Sequence, residues 1–355
     1  MEIASPYLWQ KGCACKPLID GMGITHQGRS ETVNRALSDF GIEDSFVRAA
    51  VRFKEHYNYD IGSSAADRAT KDTAHQAVKY IEERLSNADS DEARNDRESL
   101  DRMLVELDGC EIRTAQLYPI EGTTETTPVY KNPKKAKEIR FRDVRVGFVR
   151  PVDSSSKIYV GKMDSYEQVV DQLHQAAVLI GMTESTTVVG VADGGIGLSD
   201  ELKRQFSNMQ FILDKSHLKG HFYETAEELK ISREERPKWV NPLIQTISKG
   251  GVAEVKKKLE NEYSSNLNER LRRLIGYLER FQDALNYDVF KADGYPIGSG
   301  EIESAHKSIP QKRLKIPGAS WHPDSIDPML ALRILRADDW WDDFWNQRTE
   351  ELLAA

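Results

Sequence analysis

The chain has 355 residues, of which 39% are hydrophobic, and 57 acidic residues outnumber 49 basic ones to give a net charge of −8. That is enough apolar material for two or three structural units, and no apolar run approaches the roughly 20 residues of a membrane span. The acidic total gives no global argument for nucleic acid, and three cysteines exclude a disulfide scaffold. Because the N-terminus lacks the order of a signal peptide, a cytoplasmic protein without a membrane partner is expected.

The first hundred residues predict a short arm followed by helices. Cys13 and Cys15 stand too close together, and are too few, to form a zinc site alone. Residues 29 to 86 show helical spacing, with Leu37 and Phe40 on one face and Gly41 as a stop. A helix-turn-helix DNA reader and a helical dimerisation or packing module both fit this pattern. Residues 87 to 101 are polar and charged, which is typical of a linker.

A strand is predicted from residue 103 to 117, with Leu104, Glu106 and Asp108 on one face. A carboxylate inside an apolar strand is costly to bury unless it is paired or binds a metal. Asp108 is followed by Gly109, however, and this dipeptide is also a strong hairpin signal. A catalytic carboxylate and a hairpin turn therefore remain equal alternatives for Asp108.

The segment from residue 131 to 150 is strongly basic, with eight basic residues against Glu138 and Asp143. Its strand-like alternation predicts an edge that contacts phosphates, and a solvated charged face is the alternative. The candidate DNA contacts in this segment are Lys131, Lys134, Lys135, Arg140, Arg142 and Arg145.

The middle of the chain alternates strands and helices. A strand at Ile158 is followed by an amphipathic helix from Tyr166 to Ile180. Two further apolar runs end at Asp193 and Asp214, and parallel strands would place these two carboxylates side by side at one edge of a sheet. Three early strands followed by alternating helices and strands predict an α/β fold with an RNase H-like mixed sheet flanked by helices.

The remainder predicts an all-helical insertion, a helix with two acids, and a closing helix. Ser299 is expected to cap a helix that begins near Glu301, and Glu303 is the second acid. These two acids lie about 200° apart on a helix, so only one of them can face a given site. The basic residues behind them are candidate phosphate contacts: Lys307, Lys312, Arg313 and Lys315.

Four motifs, LVELDGCEIRT, VVGVADGG, ILDKSHLKGH and YPIGSGEIESAHK…RLKIPGASW, resemble those of the DDE transposases of bacterial insertion sequences, in the ISKra group of the Mutator-like superclass. The resemblance covers residues 15 to 348 and implies a metal-binding catalytic triad of Asp108, Asp193 and Glu303. It also implies two Mg²⁺ or Mn²⁺ ions and a supporting role for Asp214 and His217.

The resemblance further implies a transposase that cleaves DNA strands and joins the 3′-hydroxyl to target DNA. Its partners would be the element's terminal inverted repeats, target DNA and a second copy or more of the chain on that DNA, in association with the nucleoid. The predicted segments are a zinc-ribbon remnant (1–28), a helical DNA-binding or dimerisation domain (29–100), the catalytic core (101–223 and 293–324), a helical insertion (224–292) and a C-terminal helix (325–355).

Two other functions compete with this interpretation. A transposase-derived DNA-binding regulator without catalysis would share the fold, but the intact acids argue against it. An actin-like or sugar-kinase-type ATPase would use the glycine-rich turn after Asp193 to hold phosphates. No second glycine-rich phosphate loop accompanies this turn.

Overall fold

The computed structural model describes residues 28–87, 99–119, 135–263 and 268–354, with the backbone alone at 119, 135, 136 and 352–354. It also gives the backbone of two short antiparallel strands, β1 (Leu8–Gln10) and β2 (Cys13–Cys15). The side chains of Cys13 and Cys15, and most of the predicted linker at 87 to 101, lie outside the described residues.

Three helices follow in the N-terminal part: α1 (Glu31–Glu43), α2 (Phe46–Tyr57) and α3 (Ser63–Ser86). Ser30 and Ser45 accept hydrogen bonds at the starts of α1 and α2, as serine does at many helix N-termini. A small separate core joins them, formed by Leu37, Phe40, Ala49, Phe53, Ala66 and Ala69. The second half of α3 belongs to the main core instead, because Tyr80, Ile81 and Leu85 pack there.

The main sheet has five strands: β3 (Arg102–Pro119), β4 (Lys135–Pro151), β5 (Ile158–Lys162), β6 (Thr187–Ala192) and β7 (Met209–Leu213). Their order is β5-β4-β3-β6-β7. The first three strands pair antiparallel, whereas β6 lies parallel to β3 and β7 parallel to β6. This order and direction, with helices on the faces, make the sheet RNase H-like, and the predicted fold class is confirmed.

Strand β3 runs without a break through Asp108 and Gly109, which pair with Val146 and Arg145 of β4. The hairpin alternative for this dipeptide is therefore wrong. The two strands pair continuously from Met103 and Pro151 to Pro119 and Lys135.

Helices α4 (Tyr166–Ile180) and α5 (Leu198–Gln205) connect the later strands, and α4 has the predicted bounds. After β7 the chain is helical in α6 (Lys215–Glu228), α7 (Arg236–Ser248), α8 (Val252–Glu262), α9 (Glu269–Arg280) and α10 (Tyr287–Ala292). The buried leucines of α9, Leu271, Leu274 and Leu278, follow the predicted amphipathic spacing. None of the described helices is long and apolar enough to cross a membrane.

The chain then forms α11 (Gly300–His306), a π-helical turn (Lys307–Gln311) and the single turn α12 (Lys312–Leu314). Two helices close the chain, α13 (Ile326–Ala337) and α14 (Trp341–Ala354), where one closing helix was predicted. The break lies at Asp338 and Asp339, since Asp338 accepts a hydrogen bond from Tyr159 N at 2.9 Å and Asp339 has a left-handed φ of 58°. A left-handed residue interrupts a helix.

Candidate active site

Asp108 stands where β3 leaves the sheet. Parallel pairing with β6 ends at Glu106, and antiparallel pairing of β4 with β5 ends at Arg145. The side chain of Asp108 is partly exposed, and its Oδ1 accepts a hydrogen bond from Gly109 N at 2.7 Å. One carboxylate oxygen therefore points toward its own backbone, and the carboxylate is reachable from solvent.

Asp193 follows the last residue of β6, as predicted. Its Oδ1 accepts a hydrogen bond from Gly195 N at 3.0 Å, which fixes the carboxylate at the turn. Gly194 is required here because a Cβ at this position would overlap the Tyr277 hydroxyl. Burial raises the pKa of Tyr277, and the charge of Asp193 raises it further, so the phenol stays neutral over Asp193.

The hydroxyl of Tyr166, at the start of α4, lies close to Gly109 and Gly195, which follow the two aspartates in the chain. A Cβ at Gly109 would be 3.9 Å from this oxygen, and a Cβ at Gly195 would be 3.8 Å from it. Burial raises the pKa of Tyr166, and both Asp193 and Asp108 raise it further, whereas Arg145 lowers it. Two glycines that are far apart in the chain are thus brought close to one hydroxyl group.

Glu106 is a residue of this site that the sequence did not single out. Its side chain is completely buried, and Oε2 accepts a hydrogen bond from Ile302 N at 2.9 Å. Burial raises the pKa of Glu106 to about 8. Glu106 and Asp108 share one face of β3, so the face that carries Asp108 is also the face that contacts α11. The sequence signal that could have identified Glu106 was a carboxylate within an otherwise apolar strand.

A second contact holds α11 against the end of β7. Asp214 is buried, and its Oδ2 accepts hydrogen bonds from Ser299 N at 2.6 Å and Ser299 Oγ at 2.8 Å. Its Oδ1 accepts a hydrogen bond from His217 N at 2.6 Å at the start of α6. The expected helix cap by Ser299 is absent because the Ser299 hydroxyl is used by Asp214. Asp214 also lies beside Asp193, as predicted, since Asp214 N donates to Ala192 O.

The two acids of α11 have different surroundings. Glu301 pairs with Arg150, with a 2.6 Å contact between Oε1 and Nη2, and with Lys157 at 2.6 Å. Burial alone would raise the pKa of Glu301, but hydrogen bonds from Arg150 and Lys157 hold it below its usual value. Glu303 is exposed, and none of the described residues pairs with its carboxylate. Glu301 therefore fixes the helix, whereas the carboxylate of Glu303 is exposed.

Three histidines lie around these acids. His306, one turn after Glu303, is 2% exposed and lies against the backbone of Asp108 and Val146. Its ring nitrogens have no hydrogen bond of good geometry to any described residue. Burial lowers the pKa of His306 and also that of His221, which stacks edge-on against Tyr277. His217 is exposed.

Across the described residues, no three His, Cys, Asp or Glu side chains come close enough together to hold a metal ion. Asp108 and Asp193 have the hard oxygen donors that Mg²⁺ prefers, and both are partly exposed. They lie on neighbouring strands, each two residues beyond the paired Glu106 and Val191. The third predicted metal ligand, Glu303, lies on a helix that Glu106 and Asp214 hold against the same strands.

The structure separates the predicted DNA contacts into two groups. Lys307, Lys312 and Lys315 are exposed, although Lys312 pairs with Glu43, and Arg140 is exposed beside Glu138. Arg142 is half-buried. Lys131, Lys134 and the side chain of Lys135 lie outside the described residues.

For two arginines, Arg313 and Arg145, the predicted phosphate contact does not agree with the structure. Arg313 is 3% exposed, donates to Gly41 O at 2.8 Å, and stacks between Phe46 and Trp321. Its guanidinium joins the N-terminal helices to the main core, where a phosphate cannot reach it. Arg145 covers the ring of Tyr166 at 4.3 Å and donates to Asp164 O, so its main contacts are inside the protein.

No protein-family model and no curated protein matches this chain. Among solved structures, the chain is similar to the Drosophila P element transposase strand transfer complex at 11% identity and a TM-score of 0.38, over 90% of this chain and 95% of that chain. The order and direction of the strands described above show the RNase H-like fold.

Proposed function

We propose that this protein is a DNA transposase of the kind encoded by bacterial insertion sequences. Asp108, Asp193 and Glu303 form its catalytic triad, cleave DNA strands and join the 3′-hydroxyl to target DNA. The observation that carries the proposal is the placement of Asp108 and Asp193 on neighbouring parallel strands of an RNase H-like sheet, each two residues beyond the paired Glu106 and Val191.

Two divalent ions, Mg²⁺ or Mn²⁺, would be held by these three carboxylates and would supply activation of the attacking oxygen and stabilisation of the leaving oxygen. The chain's own residues prepare the site. Gly109 N and Gly195 N orient the two aspartates by hydrogen bonds. Glu106 and Asp214 hold α11, and Glu303 on this helix would be the third metal ligand.

The proposed partners follow from this chemistry. The DNA comprises the element's terminal inverted repeats and the target, and exposed Lys307 and Lys315 near α11 contact its phosphates. Two element ends must be joined, so the chain acts as a homodimer or a higher oligomer on DNA. Asp214 and His217 support the site, since Asp214 connects the end of β7 to the turn that starts α11.

A regulator that binds DNA without cleaving it is the second candidate. The observation that favours it is the lack, within the described parts of the chain, of three gathered acids. Metal-dependent chemistry separates the two functions.

The test is strand cleavage and joining on DNA that carries the native element ends, with Mg²⁺ or Mn²⁺. Wild type is compared with Asp108→Asn, Asp193→Asn and Glu303→Gln, and with Glu301→Gln on the same helix, which weakens the ion pairs with Arg150 and Lys157 but leaves Glu303 in place. We expect each triad variant to lose at least about 100-fold in cleavage rate, because each removes a charge that would bind metal. DNA binding without metal should persist in all three.

Wild-type binding without cleavage under either metal would instead support the regulator. Loss of cleavage in Glu301→Gln, with activity retained in Glu303→Gln, would exclude Glu303 as the third ligand. Melting curves of every variant exclude unfolding as the cause.

A further inference from the structure

Beyond Asp108, strands β3 and β4 continue as a two-stranded ribbon that pairs with no other strand of the main sheet. We call its residues, 109–119 and 135–144, the arm. Its root is fastened to the loop after α12, where Trp321 N donates to Arg113 O at 3.1 Å and Ala115 N donates to Trp321 O at 2.8 Å. The arm is therefore a positioned element that begins at the candidate site.

One face of the arm is apolar and basic together. Opposite residues of an antiparallel pair share a face, and the register pairs Arg113 with Phe141, Ala115 with Ile139, and Leu117 with Lys137. Phe141 is 63% exposed, Leu117 58% and Ile139 44%. Large apolar side chains clustered in this way on a surface indicate an interaction site.

A groove of about 340 Å³ adjoins this face. Its walls are the arm and the loop from residue 314 to 319, and its lining includes Glu111, Arg113, Phe141 and Lys315. Lys315 is exposed, so the groove has an aromatic ring and two cations at its border. An aromatic or apolar group between cations is a common device for contacting bases and phosphates at once.

We propose that the Arg113, Ile139 and Phe141 face of the arm enters a groove of duplex DNA bound at the candidate site, an inference that rests on the proposed function. The dimensions agree. From Asp108 to Pro119 the strand extends over eleven residues, roughly 36 Å at about 3.3 Å per residue, which is close to one turn of B-DNA. A two-stranded ribbon fits the major groove, and apolar side chains can enter between base steps in the minor groove.

Charge favours DNA over a second copy of this chain as the occupant. The arm has five basic and three acidic residues, a net charge of +2 in a chain of net charge −8. Two such arms placed against each other would repel, whereas a phosphate backbone would attract each of them. Protein interfaces also lose charged residues at their centre, and here Arg113 lies directly opposite Phe141.

The experiment measures binding of the full chain to a labelled mixed-sequence duplex of roughly four helical turns, at several salt concentrations. The variants are the double change Ile139→Ala/Phe141→Ala and the single change Arg113→Gln. The control is Val289→Ala on α10, which is 48% exposed and lies outside the arm. Because the two apolar targets are exposed, their removal should leave the melting temperature nearly unchanged.

We expect the double variant to bind the duplex roughly 10-fold more weakly with an unchanged salt slope, since it removes apolar contacts. Arg113→Gln should reduce the salt slope by about one, since it removes one phosphate contact. The control should bind like wild type.

If the double variant binds the duplex as tightly as wild type does, the proposal is overturned. A change in its oligomeric state with unchanged DNA affinity also overturns the proposal, and would identify the face as a contact between copies. No duplex binding by wild type overturns it too. The cleavage assay is interpreted separately. If wild type does not cleave DNA but the arm variants bind it more weakly than wild type does, the arm proposal is supported and the transposase is excluded. If wild type cleaves DNA and the arm variants bind it as tightly as wild type, the transposase is supported and the arm proposal is overturned.

Discussion

The inner and outer halves of the β3/β4 ribbon have the same backbone pairing but different burial, since the arm is covered on one face only, where Ile112, Thr114 and Val144 are buried. In the inner half, Met103, Leu104, Val105 and Leu107 are at most 1% exposed, because helices cover both faces of the sheet. In the outer half, which is the arm, Leu117 and Phe141 are more than half exposed. The alternation that predicts a strand therefore does not tell which stretch of it is covered, and Asp108 lies at the border between the two.

The largest expected effect tests this difference directly with two leucines of the same strand. Leu107→Ala should lower the free energy of unfolding by about 2–5 kcal/mol, because it leaves a cavity in the covered half. Leu117→Ala, on the arm, should change it by less than about 0.5 kcal/mol. Chemical denaturation of both variants measures the two values. Equal losses of unfolding free energy would mean that Leu117 is covered in solution, which would contradict the difference between the two halves.

The elements with local signals could be predicted from the sequence. The helix from Tyr166 to Ile180 and the positions of Asp193 and Asp214 at strand ends follow from apolar periodicity and turn residues. The order of strands and helices then predicts the RNase H-like sheet. These features depend on neighbours in the chain.

The features that sequence reasoning missed depend on distant partners. Asp214 and Ser299 are 85 residues apart, so nothing local indicates that the Ser299 hydroxyl leaves its own helix. Arg313 binds the carbonyl of Gly41 across 272 residues, and in sequence it looks like any member of a basic run. Glu106 and Asp108 are carboxylates on the same face of β3, and the difference between them is that α11 covers Glu106.

The second prediction concerns the polar group of the covered half. Glu106→Ala should cost about 1–3 kcal/mol of unfolding free energy, because Ile302 N–H loses its acceptor in a buried place. Cleavage should also fall, since α11 loses one of its attachments to β3. Glu106→Gln retains a carbonyl acceptor and should restore most of both quantities.

The matched control is Glu111→Ala on the exposed arm, which should stay within about 0.5 kcal/mol of wild type. Thermal and chemical denaturation measure the stability of all three variants, and the strand-cleavage assay measures the activity. An Ala variant as stable as wild type would show that the Glu106 contact with Ile302 contributes nothing.

The smallest expected effect is a dependence of the unfolding free energy on pH. It involves Asp338, which contacts edge strand β5 at the other border of the covered half. Oδ1 of Asp338 accepts from Tyr159 N, and Oδ2 has no partner of good geometry among the described residues. Burial raises the pKa of Asp338 well above its ordinary value of 3.8; the charge of Asp339 adds to this, while Tyr159 N and Arg84 oppose it. The neutral carboxyl is thus favoured in the folded protein, and its contribution to stability is lost as the pH rises from about 3.8 toward the folded pKa.

Asp338→Asn retains an acceptor for Tyr159 N and cannot ionise. Its unfolding free energy relative to wild type should therefore increase as the pH is raised from about 4 to 8. Asp338→Ala should be less stable than Asp338→Asn at every pH, because Tyr159 N loses its acceptor. Denaturant titrations across this pH range measure both. A difference between Asp338→Asn and wild type that does not change with pH would mean that this carboxyl ionises alike in the folded and unfolded chain.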